Sequence, residues 1–267
     1  MPDRLLLLAA LLPLLCAPSA FAAGCDGLSE GPDGTVVSVE GGDMLTLDSG
    51  IVVQLANLEA PQPAARGGRL AAEPLAGEAA AALSRLVLGK SVEIGLDAEE
   101  TDRYGRMEGQ VFLADGGAWV QQELLAAGMA RVEPSPADHL CLDQMLAAEA
   151  VARSSGLGIW ADPYYSVRKA DDPDAIGDRI GHYEVIEGEV VSTGESRGRI
   201  YLDFGPVWKT DLTATIDGKA RQRFAAAGLD PLALRGQRVR IRGWLESRDG
   251  PFIELATPGQ IEVLGSK

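Results

Sequence analysis

Histidine, cysteine, aromatic side chains and positive charge are all scarce in this chain of 267 residues. The two histidines, His139 and His182, have no spaced partners, so a zinc site of the His/Cys type has nothing to build on. Aromatic residues make up 5% against 46% apolar residues in all, an ordinary globular composition with room for one large or two modest domains. Lys and Arg number 24 and Asp and Glu 39, a formal net charge of −15. Such a chain repels polyanions at long range, which sets nonspecific nucleic-acid binding at a disadvantage. No phosphate loop of the G-x-x-x-x-G-K-S/T kind occurs, and no strand-linked G-x-G-x-x-G. The one conspicuous apolar run, Leu5 to Leu15, is broken by Pro13 and is too short for a membrane span.

What is present begins with an export signal. Arg4 supplies the positive start, Leu5 to Leu15 the apolar stretch, and Ala20-Phe21-Ala22 the small-residue cleavage site. Residues 1–23 are therefore expected to be removed, with delivery to the periplasm or the medium. A second reading puts a lipid on Cys25, since Ala22-Ala23-Gly24-Cys25 is a poor lipobox. Loss of the signal removes Cys16 and leaves Cys25 and Cys141, which pair as a disulfide in an oxidising compartment or remain two thiols.

Residues 34–62 read as a three-stranded meander. Val37 and Val39 alternate with polar residues, then Leu45 and Leu47, then Ile51, Val53 and Leu55, with turns at Gly41-Gly42 and Asp48-Ser49-Gly50. Asp43 follows the first turn, and Glu59 lies past the third strand before Ala60-Pro61. Curled into a barrel, the meander would bring both carboxylates to one rim, where they and a backbone carbonyl suit a hard cation.

This stretch resembles the start of the thermonuclease, or staphylococcal-nuclease-like, family, whose pattern V-x-x-V-x-D-G-D-T leads to a strand ending R-L-x-x-x-D/E-x-P-E. Farther on, Thr101-Asp102-Arg103-Tyr104-Gly105-Arg106 matches the family's T-D-x-Y-G-R, and the likeness runs from Gly34 to Trp160. The resemblance implies an OB-type five-stranded barrel and calcium-dependent hydrolysis of DNA or RNA. Asp43 and Glu59 would hold calcium with the Ala60 carbonyl, and Arg106 would clamp the phosphate. Two positions depart from the pattern. The second clamping arginine falls on Gln54, and the glutamate that activates water falls on Gln62. An amide accepts no proton near neutral pH. Losing a general base costs roughly 10²–10⁴-fold, and losing a transition-state donor costs about 10²-fold or more. Arg66 and Arg69 lie in the following Ala/Gly/Pro loop, as replacements for the missing charge or as solvated loop residues.

The rest of the chain gives helices over Leu75–Leu88, Trp119–Ala127 and Asp138–Ser154, the last with Met145, Leu146 and Val151 in the core, and strands over Ser91–Leu96 and Gln110–Ala114. Residues 26–160 carry eight Lys and Arg against 21 Asp and Glu, a charge of −13. Residues 161–181, rich in Asp, Pro and Gly with no apolar period, read as a linker.

Residues 182–267 order as strands at Tyr183–Thr193, Arg199–Phe204 and Leu212–Ile216, a helix at Lys219–Ala227, and strands at Gln237–Leu245 and Pro251–Val263. That order predicts a second OB-like barrel, so the fold class expected is α+β, mainly β with helices, two barrels in series. Arg238, Arg240 and Arg242 alternate along one strand with Trp244 in register, either a polyanion-tracking stripe or a solvated exterior. Two functions follow. One is a weak metal-assisted phosphodiesterase. The other is a non-catalytic module binding nucleic acid, an envelope polymer or a protein, which Gln54, Gln62 and the local charge favour.

Overall fold

The computed structural model describes residues 25–64, 71–97, 101, 105–137 and 139–265. The expected signal, the lipobox residues before Cys25, Arg66 and Arg69, and Asp102, Arg103 and Tyr104 of the matching segment lie outside the described residues.

Up to Ser154 the elements run β1 (Ser29–Glu40), β2 (Met44–Leu47), β3 (Val52–Leu55), β4 (Leu58–Glu59), α1 (Ala76–Val87), β5 (Ser91–Leu96), β6 (Met107–Leu113), α2 (Val120–Ala126), β7 (Arg131–Val132) and α3 (Leu142–Ser154). Five of them close into a barrel of order β1-β2-β3-β6-β5. Alternation drives the closure: Leu45, Leu47, Val53 and Leu55 point inward and are buried, and their neighbours point out. One expected face is shifted. Val36 is buried and Val37 is exposed, because β1 carries an irregularity between Val36 and Ser38 that slides its pairing with β2. Val151 of α3 is also exposed, while Met145 is fully buried.

The barrel bottom is sealed by α1, α2 and α3, whose Leu83, Val87, Leu124, Leu125 and Met145 join the strand residues in one core. Cys25 and Cys141 are both buried in it and are joined as a disulfide, with their Cα atoms 4.9 Å apart.

The remaining strands and helices are β8 (Arg168–Lys169), α4 (Pro173–Gly177), β9 (Tyr183–Glu189), β10 (Ser192–Ser196), β11 (Arg199–Asp203), β12 (Thr213–Ile216), α5 (Gly218–Ala226), β13 (Arg238–Trp244), β14 (Glu246–Ser247), β15 (Pro251–Glu254) and β16 (Ile261–Gly265). They do not form the second barrel that the element order predicts. Among the described residues two open sheets face one core instead, of orders β10-β11-β12-β15-β14 and β16-β13-β9-β8. The reason lies at two breaks. The expected strand Tyr183–Thr193 splits at Val190-Val191, where Val190 N–H donates to Gln237 and Val191 N–H to Asp203, on opposite sheets. At Leu245, after β13, the N–H turns back to the His182 carbonyl, and the chain crosses to β14. The backbone bonds at these breaks go to β9–β13 neighbours and to β11, and no ladder seams one sheet to the other among the described residues.

Residues 161–181 hold a short 3-10 turn (Pro163–Tyr165), β8 and α4, and Tyr165, Ala170 and Ile176 are buried. The Tyr165 hydroxyl donates to the Pro74 carbonyl at 2.6 Å, tying this segment to the loop before α1.

Candidate functional site

A cleft of ≈ 590 Å³ opens beside the barrel where β2, β3 and β4 end, walled by residues 133–136 and by Trp244. Glycine geometry sets its floor. Gly41 adopts a positive φ of 71°, and a Cβ on Gly42 would come within 2.7 Å of the Ala60 Cβ. A glycine pair therefore lets the turn press Asp43 against the strand end that carries Glu59 and Ala60. Asn57, at φ 57°, turns the chain between β3 and β4, and its Oδ1 accepts the Ser135 N–H at 2.7 Å, which holds the wall in place.

The sequence-predicted residues gather here. Asp43, Glu59 and Ala60 are buried, and Gln54, Gln62 and Arg106 are half-buried on the lining. Gln62 Nε2 donates to Asp43 Oδ2 at 3.0 Å, to the Ala60 carbonyl at 3.0 Å and to Glu59 Oε1 at 3.4 Å. One amide nitrogen thus lies among the three oxygens that the family resemblance assigns to a cation. Gln54 Nε2 donates to the Asp43 carbonyl at 3.1 Å, and its Oε1 accepts from Arg106 Nη1 at 3.3 Å.

Gln62 is itself braced. Its backbone N–H donates to Glu73 Oε2 at 3.1 Å, and Glu73 Oε1 accepts the Tyr164 hydroxyl at 3.0 Å. That hydroxyl lies 3.2 Å from His182 Nδ1, so a histidine without a partner in the sequence closes a chain of polar contacts.

Electrostatics are set by burial and by like charge. Desolvation pushes the Asp43 carboxyl up to about 6, against the opposing hydrogen bond from Gln62. Desolvation, with Glu133 next, holds Glu59 well above the usual carboxylate range, while Arg131 pulls the other way. Glu133 is the lining residue that sequence reasoning missed. It carries no motif, and reaches the site because β7 pairs with β4, Glu59 opposite Arg131.

Along the arginine stripe exposure falls from Arg238, which is exposed, through half-buried Arg240 to buried Arg242. Arg242 is fully buried, with Nη1 2.8 Å from Glu149 Oε2, and Glu262 takes its Nη2 at 2.5 Å. Arg240 pairs with Glu187 and Glu262, and Arg238 with Glu187. Arg242 alone reaches α3 and β7, through Glu149 and the Val132 carbonyl. Trp244, at its end, donates Nε1–H to Glu133 Oε1 at 2.8 Å and so reaches the barrel's cleft.

A closed five-stranded barrel with this cleft at the strand ends defines the N-terminal unit as an OB-type barrel. Residues 52–162 match the family described as Staphylococcal nuclease homologue, a span that covers less than half of the chain. No curated protein matches the chain. The family likeness is consistent with a calcium-dependent nuclease fold. Among the described residues, no group of three or more His, Cys, Asp or Glu side chains is placed to hold a metal ion. No helix among them is long and apolar enough to cross a membrane.

Proposed function

We propose that this is an exported protein of staphylococcal-nuclease type whose N-terminal cleft binds without efficient phosphodiester hydrolysis. The observation that carries the reading is the Gln62 amide. A hydrogen-bond donor among Asp43, Glu59 and Ala60 does not fit calcium, which takes six to eight oxygen ligands and no N–H. Lone pairs that would face an ion face an N–H instead. Two further features agree. Gln54 engages the Arg106 guanidinium where the family has a second cation. The lining also carries Glu40, Asp43, Glu108 and Glu133 against Arg106, a field that opposes a phosphate. Export is supported by the Cys25–Cys141 disulfide, a bond of oxidising compartments.

The test is a calcium titration followed by thermal unfolding and by hydrolysis of single- and double-stranded DNA. Unchanged unfolding temperature and absent cleavage support the reading. A calcium-dependent rise in stability together with efficient cleavage overturns it.

A further inference from the structure

The two-sheet unit carries a second cleft, of ≈ 540 Å³, on the outer face of the sheet that contains β11 and β12. We propose that this cleft binds single-stranded nucleic acid by base stacking. The proposal stands whether or not the barrel's cleft hydrolyses anything.

Strand alternation builds it. In β11, Ile200 and Leu202 enter the core, so Arg199, Tyr201 and Asp203 face outward. Tyr201 is paired with Gly194 on one side and Thr215 on the other. A Cβ on Gly194 would meet nothing within 4 Å, so the floor beside the phenol ring is open. Phe252 of β15, across from Thr213, is buried in the floor, so Tyr201 and Trp208 are the rings left for a base to stack on.

The rims supply an exposed aromatic and cations. Trp208 is 57% exposed, second among the large apolar side chains described only to the helix residue Val151. Its turn is ordered by Asp211, whose Oδ2 accepts the Val207 N–H at 2.7 Å. A Cβ on Gly250 would lie 2.3 Å from the Trp208 carbonyl, so only glycine lets the Trp208 turn close against the hairpin that bears Arg248. Lys209 Nζ sits 5.4 Å from the indole centroid, and the Arg248 guanidinium 4.7 Å from the Phe252 ring. The acids nearby are engaged. Asp203 accepts from the Ser192 and Thr213 hydroxyls, Glu195 pairs with Arg221, and Glu254 lies 3.7 Å from Arg199.

Aromatic faces flanked by arginine and lysine are the chemistry of sequence-tolerant single-strand binding. Bases stack, and the cations take the phosphates. The volume falls in the range of ordinary ligand sites.

The experiment is fluorescence anisotropy of a labelled ten-nucleotide thymidine strand with the full chain, at low salt, with a chelator present. Saturable binding that weakens with salt is expected. Trp208→Ala should lower affinity about 10-fold or more, and Arg248→Glu should lower it and flatten the salt dependence. Lys90→Glu, the same charge reversal at a distant exposed site, should leave it unchanged. Unfolding temperatures of all variants establish that they are folded. Absence of binding at low salt overturns the proposal. So does binding that inorganic polyphosphate matches and Trp208→Ala leaves intact, which would be charge alone. Binding of a neutral amino-sugar oligomer in place of the strand would make the cleft a glycan site, and overturns it equally.

Discussion

Arg242 Nη1 and Glu149 Oε2 meet at 2.8 Å with neither side chain exposed, joining β13 to α3 across 93 residues of sequence. Around that pair, Val132 is fully engaged. Its N–H donates to Glu149 at 2.7 Å, and its carbonyl accepts from the Tyr183 hydroxyl at 2.7 Å and from Arg242 at 3.3 Å. Arg131 next to it donates to the Tyr183 carbonyl and lies 5.1 Å from the rings of both Tyr165 and Tyr183. The wall of the barrel's cleft and the second unit are therefore one buried polar assembly.

Breaking that assembly on one side leaves a buried charge. Arg242→Met is expected to destabilise the chain by about 3 kcal/mol, because the fully buried Glu149 loses one of its two arginine partners and keeps only Arg153. Adding Glu149→Gln should recover part of the loss, a coupling of the kind that neighbouring residues show. Urea unfolding of the two single variants and the double one measures it. Additive losses would mean that the pair contributes nothing as a pair.

The proposed loss of hydrolysis at Gln54 and Gln62 can be tested by reversal. The double change Gln54→Arg with Gln62→Glu is expected to raise calcium-dependent phosphodiesterase activity by several powers of ten over the unmodified chain. Each single change should give far less, since base and clamp act on one transition state. Addition of Asp43→Ala should abolish the gain. Initial rates on single-stranded DNA with and without calcium decide it. A folded double variant with no gain would mean that the likeness extends to the fold alone.

The disulfide links residues 116 apart in sequence, and opening so long a loop is expected to cost about 2–5 kcal/mol. Unfolding with and without reductant should show that loss. Intact mass should show a start near Ala23 and two hydrogens fewer than the reduced form. Two thiols alkylated without reductant would remove the bond, and a diacylglycerol mass on Cys25 would replace export by anchoring.

Helix α5 offers a pH test. Asp217 Oδ1 accepts the Ala220 N–H at 2.7 Å, and this backbone bond, foremost, holds its carboxyl below the ordinary value of 3.8. The folded state therefore keeps this group ionised where the unfolded chain has begun to take a proton. Its contribution is complete above pH 3.8 and fades as the pH falls through the lowered value. Asp217→Ala should cost about 0.5–1 kcal/mol at pH 7 and less near pH 3. A loss that is the same at both pH values would assign the effect to something other than the ionised cap.

The barrel was legible because its information is local. Alternation at Leu45, Leu47, Val53 and Leu55 selects strands and faces, and Gly41-Gly42 selects the turn that carries Asp43. The element order of the second unit was legible too, yet its closure was not. Whether Val190 and Val191 continue one ladder or divide between two depends on Gln237 and Asp203, and no period in the strand itself records those partners. The alternation of Arg238, Arg240 and Arg242 likewise places them on one face without saying what covers it. Burial of Arg242 is decided by Glu149 and Glu262, which lie far off in the chain. The same holds for Gln62, since sequence identifies an amide where a base is expected, and only the folded turn brings Asp43, Glu59 and Ala60 around its nitrogen. Side-chain periodicity is a property of neighbouring residues, whereas charge pairing and sheet closure are settled by groups that meet only after the backbone has chosen its long-range hydrogen bonds.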